Sequence, residues 1–237
     1  MDNKNQDVSE LLKKIFQLAP KFSTAGVDNP SMEFREKLLI GLSGKIREAI
    51  FELQIGVELL GVKHGGRQYN YSPVAWIRIF DRKHSPTAQS GYYVVLLFAA
   101  DGSTVYLSLN QGTSEMRGNH MRPIRDNDKL LVSAIEARGV LKALKMQIDA
   151  KALTHIDLKW ANAGVKNYSK KRIKNYELAN IFAYRYAPDR LPSDEIFRTD
   201  IAEMILLLWA LEKHYCTAPT NFVTELPRIW NNLIYNP

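Results

Sequence analysis

The chain has 237 residues, more than an average domain, and 46% apolar and 24% charged residues, values that are typical of a globular protein. This composition excludes a collagen-like, a coiled-coil and a wholly disordered chain. The 32 basic and 25 acidic side chains give a net charge of +7, which favours contact with polyanions such as nucleic acids.

Two helices are predicted at the start of the chain. Apolar residues recur at helical spacing from Val8 to Leu18, and again from Ser31 to about Leu53. Ser31 and the acidic residues that follow it provide a capped start for the second helix. We expect residues 1–56 to form a helical lead-in that packs on the main domain.

The middle of the chain has the alternation and the β-branched content of strands. The predicted strands cover residues 57–62, 74–80, 92–99 and 104–109. Asp101-Gly102 predicts a hairpin between the last two. On the second strand, Trp76, Arg78 and Phe80 should share one side. We therefore predict an α+β fold, with a central mixed sheet that contains an antiparallel hairpin and is flanked by helices.

Helical periodicity returns in the last third of the chain, over residues 126–148 and from Asp200 to His214, the latter after a helix start at 191–195. Between these helices, residues 162–175 are predicted as a polar, basic loop, and residues 176–186 as either strand or helix. The main domain is expected to span residues 57–215, followed by a tail or linker over 216–237.

The sequence predicts no catalytic residue, cofactor or metal site. It has no phosphate-binding loop, and its five histidines lack the spacing of a metal site. Asp157-Leu-Lys159 matches half of the acid-x-Lys pattern of Mg²⁺-dependent nucleases, without an identified upstream acid. A nuclease using Asp157 and Lys159 is therefore one alternative function, and a protein-interaction subunit of a defence complex is another.

The sequence also predicts where the protein resides. The single cysteine, Cys216, excludes an internal disulfide, and the polar opening MDNKNQDVSE lacks the apolar segment of a secretory signal. No apolar run reaches the roughly 18 residues of a membrane span. We therefore expect a cytoplasmic protein.

Two basic segments are candidates for DNA contact. Residues 63–73 combine glycines, cations, amides and tyrosines, which suit phosphates, base edges and stacked rings. Residues 162–174 carry five Lys or Arg beside a tyrosine. Solvated loops whose rings pack back on the sheet are the alternative. The predicted DNA-binding residues are Lys63, His64, Arg67, Gln68, Tyr69, Asn70, Lys166, Lys170, Lys171 and Arg172.

Four segments in the same order resemble the N-terminal DNA-recognition domain of McrB-type restriction systems, the type IV systems directed at modified cytosine. They are NYSPVAW (70–76), GYYVVLLF (91–98), DGSTVYLSLNQG (101–112) and YELANIFAYRYAPDRLPSD (176–194). The resemblance covers approximately residues 40–215. It implies a module that binds double-stranded DNA and flips a methylated or hydroxymethylated cytosine into a pocket. Cleavage would be left to a GTPase motor and a nuclease.

The resemblance also implies which residues form the base pocket. Trp76 would be the pocket-wall tryptophan, and Tyr176 the second pocket aromatic. Tyr93 and Leu97 would line one wall, since residues four apart on a strand share a face. Because the chain has neither the phosphate loop nor the length of a GTPase motor, we expect an excised recognition domain or a stand-alone subunit.

One segment departs from the family pattern. The loop over residues 63–70 matches the part that enters the duplex and occupies the position of the flipped base. The family usually has Gly-x-Gly-Asn there, whereas this chain has Arg67-Gln68-Tyr69-Asn70. The inserted residue is therefore either Gln68 or Tyr69, and the target is 5-methylcytosine, another modification or an unmodified sequence.

Overall fold

The computed structural model describes residues 6–18, 29–54, 58–65, 74–159 and 167–215. The elements in chain order are α1 (Val8–Leu18), α2 (Asn29–Glu52), β1 (Leu60–Gly65), β2 (Trp76–Asp81), β3 (Tyr92–Phe98), β4 (Val105–Gln111), β5 (Ser114–Arg117), β6 (His120–Pro123), α3 (Asn127–Ala143), α4 (Asn167–Leu178), β7 (Asn180–Tyr186) and α5 (Asp194–Tyr215). Among these residues, no helix combines the length and the apolarity needed to cross a membrane.

Five strands form the main sheet in the order β1-β2-β3-β4-β7, and β5 and β6 form a separate hairpin. The predicted α+β class is confirmed. The sheet differs from the prediction in one respect: every pair of neighbouring described strands is antiparallel, so the sheet is not mixed. The hairpin between β3 and β4 is confirmed, and Gly102 in its turn has a φ of 73°.

One face of the sheet is covered by α1, α2, α3 and α5. The strands contribute residues such as Ile77 and Leu96 to this core, and α5 contributes an almost continuous apolar surface. Helix α1 inserts Leu12 and Phe16, and the rings of Phe16 and Phe98 lie 6.4 Å apart. Helices α1 and α2 therefore belong to the same core as the sheet, while the predicted domain boundaries stay a prediction.

The opposite face carries a smaller core, rich in aromatic rings. Strand β2 alternates as predicted: Trp76 and Phe80 join this second core, whereas Ile77 and Ile79 join the helix-covered one. The second core is covered by the irregular segment 153–159 and by α4 rather than by long helices. Trp76 and Tyr176 pack against this second core and are only partly buried.

Several predicted boundaries were wrong. Residues 167–175 belong to α4 rather than to a loop, because Ile173 packs on the sheet although most of the helix is polar. The segment 176–186 contains both the end of α4 and strand β7. The strand predicted at 57–62 is β1, which spans Leu60–Gly65. The helix predicted to reach residue 148 ends at Ala143. The exposed hairpin β5–β6 was not predicted, and the tail over 216–237 lies outside the described residues.

Candidate nucleic-acid interface

The four predicted pocket residues meet on the second face of the sheet. Trp76 of β2 pairs with Leu97 of β3, and Tyr93 lies on the same face of β3. Helix α4 adds Tyr176 to the same cluster. The structure therefore brings together side chains from three separate segments of the chain, which we call the aromatic cluster.

The aromatic cluster has a buried interior and a more exposed margin. Tyr93 and Leu97 are 2% and 1% exposed and belong to the interior. Trp76 and Tyr176 are half-buried and form the margin. The solvent-exposed part of the cluster therefore belongs to Trp76 and Tyr176.

Gly65 allows the indole of Trp76 to lie against strand β1. The two residues are paired in the sheet, and a Cβ atom at Gly65 would lie 2.0 Å from Cε2 of Trp76. Any larger residue at position 65 would therefore displace the ring. At Gly65, one of the glycines in the segment 63–73, the group that approaches the backbone is therefore Trp76. Gly66 lies outside the described residues.

A buried cation supports the aromatic cluster from within. Arg78 is 3% exposed, and its guanidinium carbon lies 3.9 Å from the centroid of the Phe80 ring and 5.5 Å from that of Tyr93. It donates hydrogen bonds to the carbonyls of Ser85 and Pro86. Burial lowers the pKa of Arg78, but a guanidinium remains charged in proteins. Sequence reasoning placed Arg78 on this face and missed its burial among the rings.

Two buried polar atoms, one in the aromatic cluster and one on the neighbouring strand β4, have no hydrogen-bond partner within the described part of the chain. They are Oη of Tyr93 and Oδ1 of Asn110, whose residues are paired across β3 and β4. Nδ2 of Asn110 donates to the carbonyl of Tyr176. Burial, followed by the nearby Tyr176 hydroxyl, raises the pKa of Tyr93, so its phenol stays neutral. The cluster and the neighbouring strand therefore retain both a donor and an acceptor.

Helix α4 carries basic side chains next to Tyr176. Nε of Arg172 donates a 2.9 Å hydrogen bond to Oη of Tyr176. Arg172 and Lys171 are exposed, and Lys170 is half-buried. Lys63 of β1 is exposed on the same face of the sheet, with Nζ 5.8 Å from the centroid of the Phe80 ring. Of the predicted DNA-binding residues, Arg172 therefore contacts the aromatic cluster, Lys63 lies on the same face of the sheet, and Lys170 and Lys171 share helix α4 with Tyr176.

The structure does not bring His64 together with these residues. Because side chains alternate along a strand, His64 points to the helix-covered face when Lys63 points to the aromatic one. Its Nε2 atom lies 2.9 Å from Oε1 of Glu36, and its Nδ1 atom lies 3.4 Å from Oγ of Ser43. The other predicted DNA-binding residues, Arg67, Gln68, Tyr69, Asn70 and Lys166, lie outside the described residues.

The nuclease alternative finds little support in the described structure. Asp157 and Lys159 lie in an irregular segment instead of a strand, and Oδ2 of Asp157 accepts a 2.6 Å hydrogen bond from Nζ of Lys159. This hydrogen bond lowers the pKa of Asp157. Within the described ranges, the group of acidic and histidine side chains close enough to share a metal does not include Asp157.

The sequence matches a known protein family. A family model described as "MrcB-like, N-terminal domain" matches residues 42–213, which is more than two thirds of the chain. No curated protein and no solved structure matches. The matched segment begins within α2, ends within α5, and contains the whole main sheet and all four residues of the aromatic cluster.

Proposed function

The chain belongs to the MrcB-like N-terminal domain family, and we propose that it binds duplex DNA and holds a flipped, modified cytosine in its aromatic cluster. The resemblance to the McrB-type N-terminal domain is thereby confirmed. The family indicates a DNA-recognition module of a restriction system, in which this domain is not the catalytic part. In our proposal the GTPase motor and the nuclease are supplied elsewhere.

The observation that carries the proposal is the convergence of Trp76, Tyr93, Leu97 and Tyr176 on one face of the sheet. A base turned out of the duplex loses stacking that is worth a few kcal/mol, and flipping proteins replace it with aromatic and apolar side chains. The half-buried rings of Trp76 and Tyr176 are placed to provide these surfaces. Because Tyr93 and Leu97 are buried, we expect one marginal ring to change rotamer when the base enters.

The polar atoms in and beside the cluster support a nucleobase as its ligand. Tyr93 offers a hydroxyl group and Asn110 a carbonyl oxygen, and both atoms are buried without a partner among the described residues. The Watson–Crick edge of cytosine presents donors and acceptors that could pair with them. An unpaired buried polar group destabilises a protein by about 1–3 kcal/mol, so a ligand that pairs with it gains affinity.

The cations around the cluster support a duplex as the source of the base. Arg172 contacts Tyr176, Lys63 lies on the aromatic face of the sheet, and Lys170 and Lys171 belong to the same helix as Arg172. In the proposal they contact phosphates, which positions the DNA without reading its sequence. The loop over residues 67–70 would enter the duplex and fill the vacated space, with Gln68 or Tyr69 as the inserted residue.

The decisive experiment is a binding titration with matched duplexes. They carry cytosine, 5-methylcytosine, 5-hydroxymethylcytosine or N6-methyladenine at one position, with 2-aminopurine beside it to report flipping. We expect the modified cytosine to bind best and to raise the 2-aminopurine fluorescence. Equal affinity for all duplexes, with unchanged fluorescence, would contradict the proposal. Nicking of a plasmid with Mg²⁺ that is lost in Asp157→Ala would instead favour a nuclease.

Two classes of variant test the roles of the residues. Trp76→Ala or Tyr176→Ala should weaken binding to modified sites by about 1–3 kcal/mol and leave non-specific binding intact. Lys170→Gln with Lys171→Gln should weaken binding to every duplex and reduce the salt slope by up to roughly two. The exposed Tyr215 provides the matched control, Tyr215→Ala. Equal losses from both classes would count against the pocket.

A further inference from the structure

A second group of buried polar side chains lies on the helix-covered side of the sheet, away from the aromatic cluster. Asp81 ends β2, His84 lies in the turn that follows, and Glu212 lies near the end of α5. Asp81 and Glu212 are 5% and 4% exposed. Two carboxylates and one imidazole are therefore brought together from distant parts of the sequence.

The donor atoms of this group have the spacing of metal ligands. One atom from each of the three side chains lies within 4.8 Å of the other two. Nδ1 of His84 is 3.3 Å from Oδ1 of Asp81 and 3.9 Å from Oε2 of Glu212. Ligands at about 2.0–2.1 Å from a tetrahedral ion stand about 3.4 Å apart, so small side-chain movements would complete the geometry.

Within the group, Oδ1 of Asp81 accepts hydrogen bonds from the backbone N–H groups of Lys83 and His84, whereas the other two side chains have buried polar atoms without partners among the described residues. Both carboxylate oxygens of Glu212 and Nδ1 of His84 are buried, and none has a hydrogen-bond partner within the described part of the chain. Buried charges are normally paired or bound to a metal, because burial without compensation is unfavourable.

We propose that Asp81, His84 and Glu212 bind a divalent transition-metal ion of the zinc class. One imidazole nitrogen with two carboxylates suits such an ion, whereas Mg²⁺ and Ca²⁺ prefer oxygen ligands alone. Three protein ligands leave a fourth position for water. The ion would join the end of α5 to the turn after β2 and would stabilise the folded chain, since the three ligands meet only after folding.

The test begins with full-length protein freed of metal by a chelator and titrated with ZnCl₂. We expect one bound equivalent of Zn²⁺, a higher melting temperature, and, with Co²⁺, the visible absorption of a tetrahedral site. Failure to bind Zn²⁺ stoichiometrically would overturn the proposal. So would stabilisation by Mg²⁺ or Ca²⁺ with no response to Zn²⁺ or Co²⁺.

Variants locate the site. Glu212→Gln keeps the side-chain volume and His84→Gln removes the nitrogen ligand, and each should weaken Zn²⁺ binding by at least about tenfold and remove the Co²⁺ spectrum. The matched controls Glu195→Gln and His120→Gln change exposed residues and should bind Zn²⁺ as the unaltered chain does. Circular dichroism establishes whether each variant is folded. Because two site variants are used, the test can still be read if one of them fails to fold. Unchanged binding by a folded site variant would overturn the proposal.

Discussion

Two buried tyrosine hydroxyls on opposite faces of the same sheet have contrasting surroundings. On the helix-covered face, Oη of Tyr186 donates a 2.6 Å hydrogen bond to Asp200, which also accepts one from Lys151. In the aromatic cluster, Oη of Tyr93 has no partner among the described residues. Paired buried groups stabilise a fold, whereas unpaired ones destabilise it and are available to a ligand. In our proposal, the hydroxyl of Tyr186 therefore maintains the fold, whereas the hydroxyl of Tyr93 is available to the flipped base.

The largest effect is expected at the centre of the paired network. Asp200→Ala would remove the carboxylate that Tyr186 and Lys151 share, and Asp200 is only 1% exposed. We expect a loss of about 3 kcal/mol in the free energy of unfolding, because a buried partner is left unpaired. Urea denaturation followed by circular dichroism measures this loss.

Asp149 provides the control for Asp200. It also lies near Lys151, but it is more exposed, and Asp149→Ala should change the stability by less than about 1 kcal/mol. The modified-to-unmodified affinity ratio of folded Asp200→Ala should stay unchanged. If that variant lost affinity for modified sites but not for unmodified ones, the roles proposed for the two faces would be wrong.

The sharpest comparison uses one substitution at both positions. Tyr186→Phe should lower the free energy of unfolding by about 2 kcal/mol, since it removes a hydrogen bond to a charged group. Tyr93→Phe removes an unpaired hydroxyl, so stability should stay constant or rise by up to about 1 kcal/mol. Binding should respond in the opposite way, with Tyr93→Phe weakening modified-site binding by about 1 kcal/mol and Tyr186→Phe leaving it unchanged.

Denaturation curves and duplex titrations on the same two preparations measure these differences. Destabilisation by Tyr93→Phe would mean that its hydroxyl has a partner in the folded chain, and the contrast between the faces would then disappear. If Tyr93→Phe is stable and binds modified DNA normally, the hydroxyl does not contact the base. That result would leave stacking by Trp76 and Tyr176 as the basis of the proposal.

Regular patterns in the sequence predicted the parts of the fold that have strong local signals. Helix α1 was predicted with its observed bounds because its apolar stripe is narrow and continuous. The hairpin of β3 and β4 was predicted because two apolar runs flank Asp101-Gly102. Helix α4 was missed because most of its residues are polar, and its position depends on Ile173 and the sheet beneath.

The four residues of the aromatic cluster were named from the resemblance, and their role in base binding stays a prediction. Composition and spacing alone did not separate Trp76 and Tyr93 from ordinary core aromatics. The burial of Arg78 could not be foreseen, because it depends on Phe80 and on the loop carbonyls that receive its hydrogen bonds. The group of Asp81, His84 and Glu212 was missed because no local pattern connects the turn after β2 with the end of α5.

Helix α1 packs on the helix-covered face but lies outside the segment that matches the family model. Its start provides a further test of whether changes on this face affect stability alone. Oδ1 of Asp7 accepts a hydrogen bond from the backbone N–H of Glu10, which caps the helix, and the N–H of Val8 donates to Asp194 at the start of α5. Asp7→Ala should therefore lower the stability by about 1 kcal/mol at pH 7 without changing DNA selectivity. Denaturation and duplex titration test the two halves of this prediction.

The effect of Asp7 should also depend on pH. The hydrogen bond from Glu10, followed by that from Ser9, lowers the pKa of Asp7 below its ordinary value of 3.8. A carboxyl group whose pKa is lower in the folded state stabilises the fold above its unfolded pKa, and this stabilisation is lost as the pH falls through the folded pKa. The stability difference between the unaltered chain and Asp7→Ala should therefore be constant from pH 7 to about 5 and shrink below about 4. Asp7→Asn caps the helix without a charge, so the stability difference between Asp7→Asn and Asp7→Ala should not change with pH. If the difference between the unaltered chain and Asp7→Ala is also independent of pH, the ionised carboxylate contributes nothing.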